Sequence, residues 1–277
     1  MSTLSSKTKR VFITGGASGL GRALAFHYAH AGCQVCIADV SDARGEETRQ
    51  ELQRISPSTE MLYRHADVTH EEDLQIIADE LNQRWGGLDV LINNAGVAQA
   101  GAIEDVLLSD WEWILNINLL GVVRGCKVFT PIFKRQGHGH IVNIASMAGL
   151  LDVPRMASYN VSKAAVVALS GTLEQELMDA GIHVSVVCPS FFQTNLEETM
   201  RTTDPSLKKM MGKLLSSGKL SAEQVAEKIV LGVEKHESYI LPHIAGERLW
   251  LAKRYLPQRL YSKLFQRSVS RMKPRKN

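Results

Sequence analysis

A tyrosine and a lysine four residues apart, Tyr159 and Lys163, are the first side chains in this sequence that could carry out acid–base chemistry. The surrounding stretch has the pattern of a helix start, and this spacing places both side chains on one helix face. An ammonium group near a phenol favours the phenolate and lowers a pKa that is ordinarily about 10, which suits proton transfer near neutral pH. The same pair on a solvated helix face would have no chemical role, so other motifs must decide.

A glycine-rich segment lies near the N-terminus. Residues 14–21 read TGGASGLG and stand between an apolar strand pattern and the first helix pattern. Such glycines permit a tight turn and let backbone N–H groups and the positive end of a helix approach a pyrophosphate. The spacing is G-x-x-x-G-x-G rather than G-x-G-x-x-G, and a plain turn is the alternative interpretation.

An acidic residue follows at the position expected for a ribose contact. Asp39 ends the second predicted strand, 18 residues after Gly21, where a carboxylate can accept hydrogen bonds from the adenosine ribose hydroxyls. A 2′-phosphate would meet this negative charge, so we expect the site to favour NAD(H) over NADP(H). Arg44 lies nearby in sequence and keeps NADP(H) open as the alternative.

In order and in register, from about residue 10 to residue 241, the motifs resemble those of the short-chain dehydrogenase/reductase family. They are TGGASGLG, Asp67-Val68, Asn93-Asn94-Ala95-Gly96, Asn118-Leu119-Leu120-Gly121, Ser146, Tyr159-x-x-x-Lys163, and Pro189 with Thr194. The resemblance implies an NAD(P)-dependent oxidoreductase that transfers hydride between the nicotinamide and a secondary alcohol, a ketone or an aldehyde.

The resemblance also implies four catalytic roles. Tyr159 would exchange a proton with the substrate oxygen, Lys163 would hold the nicotinamide ribose and lower the Tyr159 pKa, and Ser146 would hydrogen-bond the substrate oxygen. Asn118 stands three residues before Gly121, as in the family pattern. It would kink its helix and hold a water that relays protons through the lysine.

The cofactor contacts that the resemblance implies come from the glycine-rich turn, the second strand end, three later loops and the catalytic pair. They are Gly15, Ser18, Gly19, Leu20, Gly21, Asp39, Asp67, Val68, Asn93, Asn94, Gly96, Tyr159, Lys163, Pro189 and Thr194. The chain departs from the family at Ser190, where a glycine usually follows the proline. A serine there requires a backbone φ below zero, and we expect an altered pocket shape with activity retained.

These residues need a scaffold that alternates strands and helices. Runs rich in Val and Ile recur between helix-length amphipathic stretches, which predicts βαβ units and a parallel sheet. The predicted strands are 10–14, 34–39, 61–66, 89–93, 140–145, 183–188 and 238–241, and the predicted helices are 20–30, 42–55, 71–85, 109–136, 158–180 and 222–236. We therefore expect an α/β fold, a single doubly wound Rossmann-type domain over residues 10–247 with a seven-stranded parallel sheet flanked by helices, preceded by a polar tail of residues 1–9.

Apolar residues surround the predicted catalytic centre. The segment between Ser146 and Tyr159 is mostly apolar, and residues 190–220 combine Phe and Met side chains with polar turns, which favours a substrate lid. The candidate pocket residues are Ser146, Leu151, Phe191, Phe192 and Leu196. We expect a bulky apolar alcohol or carbonyl substrate; the alternative is that these side chains merely cover the core.

The C-terminal extension, residues 248–277, is strongly basic. It contains ten Lys or Arg and no Asp or Glu, against 22 basic and 29 acidic residues in the rest of the chain. Apolar residues from Leu249 to Leu264 recur at helical spacing beside a row of cations, and Pro257 suits the start of a second helix. Such an extension is typical of helices on an anionic membrane surface, and packing on this subunit or a neighbour is the alternative. Nucleic acid is disfavoured because an apolar face separates the cations.

Other functional classes find little support. Four cysteines are too few for a disulfide framework, and nine histidines form no ligand motif, so no metal site is predicted. No apolar stretch is long enough to span a bilayer and no leader pattern precedes the first strand, so we expect a cytoplasmic protein, peripherally membrane-associated if the extension binds lipid.

In the family, the long helix that here carries Trp111 and Trp113 commonly forms a dimer face, which favours a homodimer or homotetramer. Two alternative functions stay open. One is an NADPH-dependent carbonyl reductase in which Arg44 holds the 2′-phosphate. The other is a catalytically silent cofactor-binding protein with a lipid- or partner-binding tail.

Overall fold

Strands and helices alternate along most of the chain in the computed structural model, which describes residues 8–193, 195–216, 218–263 and 265. The strands are β1 (Arg10–Thr14), β2 (Gln34–Asp39), β3 (Met61–His65), β4 (Val90–Asn93), β5 (Gln99–Ala100), β6 (Gly139–Ile144), β7 (Ile182–Val187), β8 (Arg201–Thr202) and β9 (Tyr239–Ile240). The helices are α1 (Gly19–His30), α2 (Asp42–Ile55), α3 (Glu71–Trp85), α4 (Leu108–Leu115), α5 (Gly121–Gln136), α6 (Ala148–Leu151), α7 (Ala157–Leu177), α8 (Pro205–Ser216), α9 (Ala222–Glu234) and α10 (Ile244–Tyr255).

Seven strands form one sheet in the order β3-β2-β1-β4-β6-β7-β9, and every neighbouring pair is parallel. The predicted fold class is confirmed, and each predicted strand boundary lies within one residue of the observed one. A small second sheet, β5 with β8, was not predicted, because two-residue strands are too short to show a pattern.

Helices cover both faces of the sheet, which explains why its strands are apolar on both sides. On one face, α1, α2 and α9 contribute Leu24, Leu52 and Ile229 to a buried cluster. On the other face, α3, α5 and α7 bury side chains such as Phe129 and Val166 against the sheet.

The strand order reverses between β1 and β4. From β1 the chain builds outward to β3, and from β4 it builds outward to β9 in the opposite direction. Loops that leave the carboxyl ends of β1 and β4 therefore diverge and open a crevice at that edge of the sheet. The glycine-rich turn, Asn94, Ser146 and Pro189 all follow strand ends at this edge.

Three helical regions differ from the predicted pattern. The predicted helix 109–136 consists of α4, a π-helical turn (Asn116–Leu120) and α5. The predicted lid contains α8, and α10 begins at Ile244, before the predicted start of the extension. Residues 258–263 form a further helical turn, whose first carbonyl acceptor is Pro257. Leu264 and residues 266–277 lie outside the described residues. Within the part that the structure describes, no helix is long and apolar enough to cross a bilayer.

Three histidines cluster at the opposite edge of the sheet. His140 in β6 is paired in register with His183 in β7, and the His183 ring stacks on that of His236 at 3.8 Å between centroids. His140 Nε2 lies 2.8 Å from Ser185 Oγ, which donates to the Glu237 carbonyl. Burial, together with the neighbouring His236, His183 and Lys9, lowers the pKa of His140 to about 3.

This depressed pKa predicts a loss of stability in mild acid. The unfolded chain, with a histidine pKa of about 6.5, takes up the proton first, so the His140 contribution is complete above that pH and declines as the pH falls. Between about pH 6.5 and pH 5 the free energy of unfolding should fall by about 2 kcal/mol through His140. Urea unfolding at both pH values should show this component in the native protein and not in His140→Gln; an identical pH dependence of the two proteins would contradict it.

Candidate active site

The glycine-rich turn places the start of α1 at the crevice. Gly15 and Gly19 adopt φ of +64° and +51°, conformations that favour glycine. A Cβ on Gly21 would lie 2.1 Å from the Gly15 carbonyl oxygen, so only glycine lets the helix pack on its own turn. The Ser18 side chain does not cap α1, which leaves the first helical N–H groups available to an anion.

Two side chains hold the turn in place. Asn94 donates to the Thr14 and Gly15 carbonyl oxygens at 2.9 and 3.0 Å. The Asp39 carboxylate accepts from the Ala17 and Ser41 N–H groups, each at 3.1 Å. Asp39 therefore lies at the crevice with a fixed orientation, next to the turn.

The remaining nucleotide-side predictions divide into two groups. Residues that line the crevice are Gly15, Ser18, Gly19, Leu20, Asp39, Asp67, Val68, Asn94, Gly96 and Pro189. Gly21 and Asn93 do not line it. The Asn93 side chain lies inside the core, where it donates to Asn143 Oδ1 at 2.9 Å, and its cofactor contact stays a prediction. Thr194 lies outside the described residues.

The predicted catalytic side chains meet at the carboxyl end of β6. Tyr159 and Lys163 occupy the first turns of α7, and Lys163 Nζ lies 6.0 Å from the Tyr159 ring centroid. Lys163 Nζ donates to the Ile144 carbonyl oxygen at 2.9 Å. Ser146, two residues further along, hydrogen-bonds with the Tyr159 hydroxyl.

Burial controls the ionisation of this pair. It raises the pKa of Tyr159 above 10, and the hydrogen bond with Ser146 lowers that pKa by a smaller amount. Burial also lowers the pKa of Lys163 to about 8. The prediction that Lys163 depresses the Tyr159 pKa is not met here, because the ammonium group is directed at the Ile144 carbonyl and desolvation dominates.

Asn118 is fully buried in the π-helical turn, behind the pair. Its Oδ1 accepts from the Val97 N–H at 2.8 Å, and its Nδ2 donates to the Val97 carbonyl at 2.9 Å and to Ser162 Oγ at 3.2 Å. A Cβ on Gly96 would lie 3.2 Å from Asn118 Oδ1 and 3.4 Å from Lys163 Nζ. Asn118 does not line the crevice, and its side chain fixes the loop that does.

The Pro189-Ser190 turn accommodates its serine. Ser190 does not have a positive φ, and its N–H donates to His243 Nδ1 at 3.2 Å. His243 is the residue that precedes α10. The turn beside Tyr159 and Lys163 is thus hydrogen-bonded directly to the residue that precedes α10.

An apolar chamber continues from Tyr159 and Lys163. Crevice and chamber form one cavity of about 830 Å³ that also contains the predicted pocket residues Ser146, Leu151, Phe191, Phe192 and Leu196. Along α8, Leu207, Met211 and Leu215 recur at every fourth position and face this cavity. The lid therefore covers the Tyr159 side of the cavity with hydrocarbon.

No group of His, Cys, Asp or Glu among the described residues could hold a metal ion.

The sequence is similar to a known protein family over most of its length. The family model described as short chain dehydrogenase matches residues 9–205. The CLA biosynthesis dehydrogenase/reductase of Lactiplantibacillus plantarum is 33% identical over 255 residues, which cover 86% of this chain and 88% of that protein. The chain belongs to the short-chain dehydrogenase/reductase family.

Solved structures of family members are similar to this structure over most of both chains. A Burkholderia phymatum member in complex with NAD is similar at a TM-score of 0.84 and 33% identity, covering 89% of this chain and 93% of that one. A Sphingobium yanoikuyae member in complex with NADPH is similar at a TM-score of 0.76 and 26% identity, covering 92% of this chain and 95% of that one. This protein is thus an NAD(P)-dependent oxidoreductase of the short-chain dehydrogenase type.

The residues present fit a dinucleotide. The uncapped N-terminus of α1 suits a pyrophosphate, Asp39 suits a ribose diol, and Gly96 leaves open space beside Lys163. When bound, NAD(P) supplies or accepts the hydride. The Tyr159 hydroxyl can exchange a proton with a substrate oxygen while Ser146 donates a hydrogen bond to it.

The C-terminal region supplies cavity residues that the sequence analysis did not identify. Gly246, Leu249 and Phe265 line the chamber, together with Ala245 at its exposed rim. Leu249 belongs to the apolar helical face noted in the extension, and Phe265 directly follows the last residue of that face. Periodicity indicates which residues share a face, but it cannot indicate what that face packs against.

Removal of the Tyr159 hydroxyl should separate chemistry from binding. Tyr159→Phe retains the ring that packs against the lid, so NADH affinity should stay within about twofold, whereas kcat should fall by at least about 100-fold with loss of the proton donor. Stopped-flow turnover and fluorescence titration measure the two quantities. The matched control is Tyr28→Phe, because Tyr28 lies outside the cavity and its hydroxyl has no hydrogen-bond partner. Wild-type turnover by Tyr159→Phe would exclude the acid–base role.

Proposed function

We propose that this protein uses NAD(H) to interconvert a bulky apolar secondary alcohol and its ketone. One observation carries the proposal: a single cavity extends from Asp39 past Tyr159 into a chamber lined by hydrocarbon. A dinucleotide and a hydrophobic substrate can thus lie end to end, with the reacting atoms at the Tyr159 hydroxyl.

In the proposed reaction each catalytic residue has a distinct task. Tyr159 donates its proton to the carbonyl oxygen during reduction and takes it back during oxidation, and Ser146 stabilises the charge that develops on that oxygen. Lys163 holds the nicotinamide ribose. Asn118 accepts a hydrogen bond from the Val97 N–H and so holds the loop at Val97 and the π-helical turn together behind Lys163.

Charge at the adenosine end supports NAD(H). Two backbone N–H groups hold Asp39 at the crevice, and in the proposed complex its carboxylate accepts hydrogen bonds from the adenosine ribose. Arg44, the nearby cation that could attract a 2′-phosphate, forms an ion pair at 2.9 Å with Glu198 of the lid. A 2′-phosphate would therefore face the Asp39 carboxylate and would compete with Glu198 for Arg44.

The chamber supports an apolar substrate. Its walls come from the lid, from α6 and from the C-terminal region, and include Leu151, Met211, Leu215 and Leu249. Burial of a methylene group contributes about 0.8 kcal/mol, so each added methylene that the chamber accommodates should improve binding about fourfold. A sugar would lose hydrogen bonds to water without replacement here.

A series of methyl ketones of increasing chain length tests this function. With NADH as the reductant, kcat/KM should rise about fourfold per methylene until the chamber is full. Leu249→Ala should lower kcat/KM for the longest ketone about fivefold and leave the shortest nearly unchanged. Leu251→Ala, on the same helix but facing away from the cavity, is the matched control. A flat series, or preference for a polyhydroxy ketone, would contradict the proposal.

A further inference from the structure

The helix α10 is held in a fixed orientation by its inner face. Gly246 packs on Met147, where a Cβ would lie 3.0 Å from Met147 Cγ, and the Trp250 ring stacks on Tyr239 at 5.4 Å between centroids. Lys253 Nζ donates to the Leu150 carbonyl at 2.9 Å and pairs with Asp152. These contacts determine which side of α10 faces outward.

The outer face of α10 is apolar and exposed. Ile244, Leu251 and Tyr255 lie on one helical stripe with Arg248, and their exposed fractions are 59%, 39% and 74%. The exposed apolar surface continues past the helix end through Leu256 and Leu260. None of these five apolar side chains is needed to close the core, because the inner face already does so. We call them the outer stripe.

Cations flank the outer stripe. Arg248, Arg254, Arg259 and Lys263 are exposed, and residues 248–277 contain no acidic residue. A second copy of this chain, docked face to face through the same surface, would bring like charges together. Apolar side chains between cations suit an interface in which hydrocarbon lies behind a layer of negative headgroups.

We infer that the outer stripe and its flanking arginines bind the surface of an anionic lipid bilayer. The rim of the substrate cavity lies beside this surface, since Ala245 is both exposed and part of the cavity lining, next to Ile244. Docking would place the cavity mouth against the bilayer, where an apolar ketone or alcohol is concentrated. The delivery of substrate rests on the proposed function, whereas the docking itself does not.

Co-sedimentation of the full-length protein with vesicles tests the docking. Vesicles of phosphatidylcholine with phosphatidylserine should bind the protein, and phosphatidylcholine alone should bind it much more weakly. Each cation near the surface contributes about fivefold, so Arg254→Ala/Arg259→Ala should lower the bound-to-free ratio about thirtyfold. Tyr255→Ser should also lower this ratio. Added salt should weaken the binding of the native protein to anionic vesicles.

The matched control is Lys134→Ala/Arg135→Ala, which removes two exposed cations at the end of α5. This variant should bind anionic vesicles as the native protein does. Equal binding to both vesicle types, or undiminished binding by the Arg254/Arg259 variant, would overturn the inference. So would a change in the oligomeric state of that variant by light scattering without vesicle binding, since the stripe would then contact a second copy.

Turnover distinguishes the docking from the proposed function. With a short water-soluble ketone, the Arg254/Arg259 variant should match the native protein. With a long ketone dissolved in anionic vesicles, its rate should fall in proportion to the bound fraction. Vesicle binding without turnover of either ketone would refute the proposed function and leave the docking intact.

Discussion

The reversal of strand order between β1 and β4 is the constraint on which the functional site depends. Because the loops after these neighbouring strands diverge, the carboxyl edge of the sheet opens into a crevice. Each site element then follows from the position of a strand end. The glycine-rich turn follows β1, Asp39 ends β2, Asn94 follows β4, Ser146 follows β6 and Pro189 follows β7.

The lid and the C-terminal region cover part of this crevice and extend it into an apolar chamber. The side chains of α8 pack with Met156 and Tyr159 in one apolar cluster, so the Tyr159 hydroxyl is buried under hydrocarbon. Burial disfavours the charged form of both side chains, the Tyr159 phenolate and the Lys163 ammonium. It therefore raises the pKa of Tyr159 and lowers the pKa of Lys163. Two buried, closely placed groups have pKa values that respond strongly to any charge bound between them. This sensitivity suits a reaction in which charge moves at one end of the cavity.

Local sequence patterns predicted most of the scaffold, because parallel strands buried on both faces are continuous apolar runs with sharp ends. Motifs in register also located the crevice residues. A motif does not indicate which way each side chain points: the Asn93 side chain hydrogen-bonds inside the core with Asn143, which belongs to a strand distant in sequence. The same limit applies to Glu198, whose ion pair with Arg44 joins residues 154 positions apart. Long-range contacts of this kind, including the packing of α10 over the chamber, depend on tertiary geometry that periodicity does not encode.

The central claim is that one cavity binds NAD(H) at its Asp39 end, with Arg44 retained by Glu198. A paired titration with NADH and NADPH, followed by energy transfer from the four tryptophans, tests it most directly. Like charges about 4 Å apart repel by about 1–4 kcal/mol, so NADH should bind at least about fivefold more tightly than NADPH. Glu198→Gln, which releases Arg44, should narrow that ratio. Tighter binding of NADPH than of NADH by the native protein would contradict the account.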